Sequence, residues 1–323
     1  MTPQIRTVCR AAVLATCTFF AGAALSADYP ERAIELVVPW AAGGGTDSMA
    51  RAFAEAARKH LNQSIVITNK PGATGSIGFT DVAKAAPDGY KVSVLTAEIL
   101  IIPHMGIGRI THDDFIPIAR FNALPSAITV RADAPWNTVE EFLAQARREP
   151  GTIKVGNSGV GSIWHLAAAA LGDKASAQFN HIPFQGGNPA VLALLGGHVD
   201  AVSVSTAEVL SYVATRRLKT LAVMAEKRVK CFDSVPTLKE RNIDLSVGSW
   251  AGLGALKGTP AKVIETLKAA TVKAMAEPVL IEAMEKMNLN AAYADDATFK
   301  VQMARDSDVF KGLVEKLQLK NQA

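Results

Sequence analysis

The chain has 323 residues, with 34 Lys and Arg against 30 Asp and Glu and a formal net charge of +4. Two of the positive charges fall in a 27-residue leader, so the other 323 − 27 = 296 residues carry only +2, with room for two ordinary domains. This near-neutral balance argues against nucleic acid or an anionic membrane surface as the main partner, and a low aromatic content with frequent Ala, Val, Leu and Gly fits an α/β protein.

Residues 1–27 read as a signal peptide. Arg6 and Arg10 form a positive start, Ala11–Leu25 an apolar stretch, and Ala24-Leu25-Ser26 or Leu25-Ser26-Ala27 a small-residue cleavage site. Export with cleavage near Ser26 or Ala27 is expected; a lipoprotein through Cys17 is a lesser alternative. Cys9 and Cys17 leave with the leader. Cys231 remains, so no internal disulfide forms and stability rests on the core. Cys231 reads as a small buried residue, with no conspicuous activating neighbourhood.

Ile34–Val38 is short and β-branched, as suits a buried strand. Gly43-Gly44-Gly45-Thr46-Asp47 then turns into a helix over Ser48–Leu61, capped by Asp47 or Thr46. Met49, Phe53, Ala57 and Leu61 share one face. Consecutive glycines admit a ligand to main-chain N–H groups, and the helix N-terminus adds partial positive charge. The loop lacks the Gly-Lys-Ser/Thr of a P-loop and the spaced glycines of a dinucleotide fold. It suits a small anion.

Ile65–Thr68 is a strand leading into a small-residue loop with Gly75 and Ser76. A helix over Phe79–Ala86 and a strand over Val92–Leu95 follow, the latter ending at Thr96 and Glu98. The alternation predicts a parallel sheet, with loops 39–47, 72–78 and 96–98 together beyond the strand ends. Glu98 reads more readily as a helix cap or a partner for a backbone N–H than as a ligand contact.

Phe115–Phe121 and Ala127–Val130 read as two strands leading to a second unit. Thr138-Val139-Glu140-Glu141 opens a helix through Arg148 with a capping box. The first design then recurs: a strand over Ile153–Val155, a loop of Gly156, Asn157, Ser158, Gly159, Val160, Gly161 and Ser162, and a helix over Ile163–Leu171. A strand over Phe179–Pro183 precedes Gln185, Gly186 and Gly187. Asn188 caps a helix whose first residue is Pro189. Val199–Val204 and Leu218–Val223 are strands, with hydroxyls at Ser203 and Ser205. Pro236–Arg241 is a short helix. After Thr259-Pro260 the chain is mostly helical, and Val263, Leu267, Ala270 and Ala274 form the first stripe there.

Catalytic readings are weak. Gly156-Asn157-Ser158-Gly159-Val160 departs from the nucleophile elbow at its last position. An exported serine hydrolase acting through Ser158, with His165 as base, is therefore the alternative function. His60, His104, His112, His165, His181 and His198 are scattered without metal-ligand spacing. No cofactor or metal is implied.

Taken together, several segments carry a resemblance. They are Tyr29-Pro30-Glu31-Arg32, Val38–Asp47, Asn69–Gly78, Ala86–Tyr90, Gly156–Ser162, Pro183–Ala190 and Leu195–Asp200. In order and spacing the sequence resembles the periplasmic solute-binding proteins of tripartite tricarboxylate transporters, the Bug family, over essentially its whole exported length. The resemblance implies a non-catalytic, two-lobed α/β periplasmic binding protein of type II-like, Venus flytrap form. It implies a small organic acid ligand in the cleft between lobes, delivered to membrane permease subunits, with no nucleic acid partner and a monomeric state.

The lobes expected are 28–125 with 250–323, and 126–249, with hinges near Pro125-Ser126 and Ser249-Trp250. The ligand-binding residues implied are Trp40, Ala42, Gly43, Gly44, Gly45, Thr46, Asp47, Gly75, Ser76, Thr96 and Glu98 on one side. On the other are Asn157, Ser158, Gly159, Val160, Gly161, Ser162, Gln185, Gly186, Ser203 and Ser205. Asp47 is expected to fix the loop and not to touch the anion. Trp40-Ala41-Ala42 departs from the family's usual phenylalanine–proline form, so no single substrate carries over.

Overall fold

The computed structural model describes residues 29–230 and 232–320. The signal-peptide expectation and Cys231 lie outside the described residues.

In chain order the elements are β1 (Ile34–Val38), α1 (Gly45–Leu61), β2 (Ile65–Asn69), α2 (Ser76–Ala83), β3 (Lys91–Thr96) and α3 (Glu98–Met105). Then come β4 (Phe115–Arg131), α4 (Val139–Arg148), β5 (Lys154–Asn157), α5 (Ile163–Lys174), β6 (Asn180–Pro183) and α6 (Gly187–Leu195). The chain closes with β7 (Ala201–Ser205), α7 (Thr206–Ala214), β8 (Leu218–Met224), β9 (Gly248–Leu256), α8 (Ala261–Met275), α9 (Pro278–Lys286), β10 (Ala291–Asp295) and α10 (Asp296–Lys316). Among the described residues no helix is long and apolar enough to cross a membrane.

β4 is the axis of the molecule. The sequence divides it into two strands, but it runs unbroken for 17 residues. From Phe115 to Pro125 it pairs with β9, and β10 lies on its other side. From Ser126 to Arg131 it pairs instead with β7 and β8. The partners change between Pro125, opposite Gly248, and Ser126, opposite Ser205 and Met224. Proline lacks the N–H a ladder needs, so Pro125 suits the position where one set of partners ends. The strand order is β2-β1-β3-β9-β4-β7-β5-β6.

The predicted parallel crossovers are present in β2-β1-β3 and in β7-β5-β6. Between them β9 runs antiparallel to both β3 and β4, making the sheet mixed. The result is the two-lobed α/β fold expected, each half carrying its own parallel strands and helices.

Helix starts differ from expectation in several places, α2 among them, which begins at Ser76 and not at Phe79. α1 begins at Gly45, with Gly44 at its cap in extended conformation and no side-chain cap. α6 begins at Gly187, capped by Gly186 at φ 127°, so Asn188 and Pro189 lie inside its first turn. At α8 the cap position is Pro260, and the Thr259 hydroxyl donates back to the Leu256 carbonyl. At α6 the positive φ of Gly186, open to glycine, lets the chain enter the helix before the polar residue is reached.

The stripes are as read: Met49, Phe53, Ala57 and Leu61, and later Val263, Leu267, Ala270 and Ala274, are all buried. They pack into a core on one face of the first half, while Ala190, Val191, Leu194, Val202 and Val204 build one in the second. A third cluster runs across both halves. α10 spans the same distance: Phe299 packs edge-on to Trp250, and Lys316 reaches Asp173 at 2.6 Å.

Candidate functional site

A cavity of about 150 Å³ opens where the two halves meet. An apolar cavity of about that volume holds a benzene-sized molecule. The first half contributes Trp40, Ala42, Gly44, Gly45, Thr46, Thr96 and Glu98 to its wall. The second contributes Ser158, Gln185, Gly186 and Ser205. These eleven expected residues, far apart in sequence, come together because each follows the carboxyl end of a parallel strand or opens the next helix.

The β1–α1 loop is braced from behind by Asp47. Its carboxylate is buried and accepts from the Gly43 N–H at 2.9 Å, from Arg51 Nε at 3.0 Å and from Asn69 Nδ2 at 2.9 Å. Burial works against its charge, but Arg51, the Gly43 N–H and Asn69 outweigh this and hold its pKa below the usual value. Asp47 does not line the cavity. Because it sits in the first turn and reaches back to Gly43, the front of the loop is left free. There α1 presents an N-terminus without a side-chain cap, at Gly44, Gly45 and Thr46. α6 does the same at Gly186 and Gly187. Unpaired first-turn N–H groups and the helix dipole together favour an anion.

The β5–α5 loop is arranged differently. Asn157 Oδ1 accepts from Gly159 N at 3.0 Å, and Ser162 caps α5 by accepting from His165 N at 3.2 Å. Asn157 Nδ2 and Ser158 Oγ, both buried, have no hydrogen-bond partner among the described residues. Ser158 faces the cavity. His165 Nδ1 accepts from Gly161 N at 3.1 Å, and its ring packs edge-on to His181 at 4.8 Å. Burial, helped by His181, lowers the His165 pKa to about 4. The imidazole is thus neutral and turned to its own loop, not to Ser158.

Other expected residues lie beside the cavity. Gly159 and Val160 line an adjoining groove of about 590 Å³ together with Ser158 and Gln185. Gly161 packs against Met105 of α3, Gly75 against Pro39, and Ser76 near Gly108. Ser203 turns to β4, its hydroxyl 3.1 Å from that of Ser126.

Sequence reasoning missed Asn122, Leu124, Trp164, Glu208, Ser249 and Trp250, all of which line the cavity. Ser205-Thr206-Ala207-Glu208 is a readable capping box, and the structure forms it: Glu208 accepts from Ser205 N at 3.1 Å and from Ser205 Oγ at 2.9 Å. Asn122 and Ser249 carry no local signal, since facing positions on β4 and β9 bring them in.

Glu98 is a partner for a backbone N–H, as expected. Its carboxylate accepts from the Thr96 hydroxyl at 2.6 Å and, across the halves, from Ile163 N at 3.3 Å. It also lines the cavity. Burial pushes its pKa up, against those two donors. A second contact between the halves joins the Thr74 hydroxyl to the Val160 carbonyl at 2.7 Å. Among the described residues no cluster of three metal-ligating side chains forms.

The model of the tripartite tricarboxylate transporter family receptor matches residues 49–319. The chain belongs to that family. A TctC solute-binding protein from Polaromonas, solved without ligand, is 56% identical to this receptor, covering 89% of this chain and 99% of its own with a TM-score of 0.72. The periplasmic binding protein BugD is 31% identical over 90% of this chain and 99% of its own, at 0.84. MatC from Rhodopseudomonas palustris, with bound malate, is 26% identical over 88% and 100%, at 0.82. The family is one of solute-binding receptors, not enzymes.

Proposed function

We propose that this receptor captures a small organic acid in the cavity between its halves and delivers it, outside the cytoplasmic membrane, to the permease subunits of a tripartite tricarboxylate transporter. One observation carries the reading. The cavity combines two helix N-termini without side-chain caps with the unpartnered Ser158 hydroxyl, and among the described residues no lysine, arginine or histidine lines it. Main-chain donors and dipoles hold a carboxylate in such a place without a cationic side chain. The loops that grip it are those of Gly44–Thr46 and Ser158, with Gln185, Gly186 and Ser205 toward the distal end.

The lobes are 28–125 with 250–323, and 126–249, hinged at Pro125-Ser126 and Ser249-Trp250. The change of partners along β4 supports the boundary at Pro125-Ser126, while on the return strand β9 already pairs with the first half from Gly248. A ligand touching both halves binds the closed state better and draws the equilibrium to it.

Thermal unfolding of the exported chain, refolded to strip bound ligand, tests this against a panel of organic acids. A ligand at 100 times its Kd adds about 2.7 kcal/mol, a rise of several degrees. A rise with one acid, recovered unchanged, supports the reading. Silence across the panel from a folded protein overturns it.

A further inference from the structure

The cavity that suits an anion is also lined by two carboxyl groups. Glu98 and Glu208 both line it. Each stands in the first turn of a helix, α3 and α7, where the dipole favours the charged form. Each accepts a backbone N–H. Glu208 Oε2 is taken by Ser205, but Oε1 accepts nothing among the described residues. That free oxygen lies so close to Gly187 that a Cβ there would come within 2.1 Å of it.

The wall beside the carboxylates is aromatic. Trp40 donates to the Thr96 hydroxyl at 3.4 Å, and that hydroxyl donates to Glu98. Trp164 and Trp250 line the same cavity. Indole faces attract cations, and a desolvated carboxylate beside them strengthens the attraction. The second kind of group is present as well: Ser158 Oγ, on a residue only 5% exposed, has no partner and faces in.

We propose that the ligand is an amino-carboxylate, its carboxylate held by the α1 N-terminus and Ser158 and its cationic nitrogen by Glu98, Glu208 and the tryptophans. This rests on the organic-acid reading and narrows it. Burial pushes both carboxyls up, and the Glu98 charge pushes Glu208 further. A bound cation reverses that push, whereas a second ligand carboxylate adds to it.

The test is calorimetric titration of the exported chain, stripped of ligand, at pH 7.5. One set of probes is amino-carboxylates with the nitrogen one to five carbons from the carboxylate. The other is dicarboxylates of matched length. The inference expects one amino-carboxylate to bind at least about tenfold tighter than its matched dicarboxylate. Glu208→Gln and Glu98→Gln should each erase that preference. Dicarboxylates binding as well or better overturn the inference and leave the organic-acid site standing. Amino-carboxylate preference unchanged in both folded variants also overturns it. No binding by either set removes both. The wild-type comparison decides even if neither variant folds.

Discussion

The two glycine-rich loops have the same sequence design, a strand, small residues and a helix start, yet they are built to opposite plans. In the β1–α1 loop the polar side chain is turned inward. Asp47 accepts three hydrogen bonds from Gly43, Arg51 and Asn69, and only main chain and small side chains face the cavity from that loop beyond Trp40. In the β5–α5 loop the cap is an ordinary one at Ser162, and the loop side chains Asn157 and Ser158 keep unmatched groups. A buried polar group without a partner costs about 1–3 kcal/mol. The first loop spends its polar residue on rigidity. The second holds donors for something else to satisfy.

The comparison breaks most readily at Asp47. Asp47→Ala leaves the Gly43 N–H without its acceptor and the Asn69 amide with only the Trp40 carbonyl, and should lower stability by about 2–4 kcal/mol in urea unfolding. A loss below about 0.5 kcal/mol, within the range of ordinary surface changes, would show that the brace is dispensable.

Acid should separate the two loops by pH. His165 has a folded pKa near 4 against the usual 6.5, so between those values the unfolded chain binds more protons. Stability contributed there is present above pH 6.5 and lost as pH falls to 4, by about 3 kcal/mol in all. Asp47 has a lowered folded pKa, so its contribution is present above 3.8 and lost only below it. Unfolding free energy measured from pH 7.5 to 3 should show the first loss alone shrink in His165→Asn; what remains there comes from His181 and His104, whose pKa values burial also lowers.

Gly78→Ala tests the support of the first loop from the side. A Cβ there would stand 2.9 Å from the Lys70 carbonyl oxygen and 2.9 Å from Pro39 Cα, neither of which can turn away. A cost of about 1–3 kcal/mol is expected by urea unfolding. The smallest stability effect belongs to Ser158→Ala. It removes a buried unpaired hydroxyl, so the ligand-free protein should lose no stability and can gain about 1 kcal/mol, while ligand affinity falls about tenfold. Equal affinity in that variant would mean the second loop holds nothing.

How legible the molecule was in its sequence divides along physical lines. α1, α8 and the Thr138 cap were readable because stripe and cap signals are local: Thr138 accepts from Glu141 N as expected. β9 was not, since Gly248–Leu256 holds three glycines and reads as a loop. Those glycines are imposed by neighbours: a Cβ at Gly252 would meet Ala119 O at 2.5 Å, and one at Gly254 would meet Leu95 Cδ1 at 2.4 Å. Similarly, α3 carries Pro103 inside it, which argues against a helix locally but is tolerated in a buried apolar segment. In the site, loop residues adjoining strand ends were foreseeable from the topology rule. Trp164, Trp250 and Asn122 were not, because they enter from helix and strand faces whose direction only the packed structure sets.

The most direct test is a crystal structure of the exported chain with a ligand identified by titration. The account places its carboxylate about 3 Å from main-chain nitrogen at Gly44–Thr46 and from Ser158 Oγ, or one ordered water away. A ligand seated instead in the adjoining groove beside Thr74 and Val160, with the cavity between the halves left to water, would contradict it.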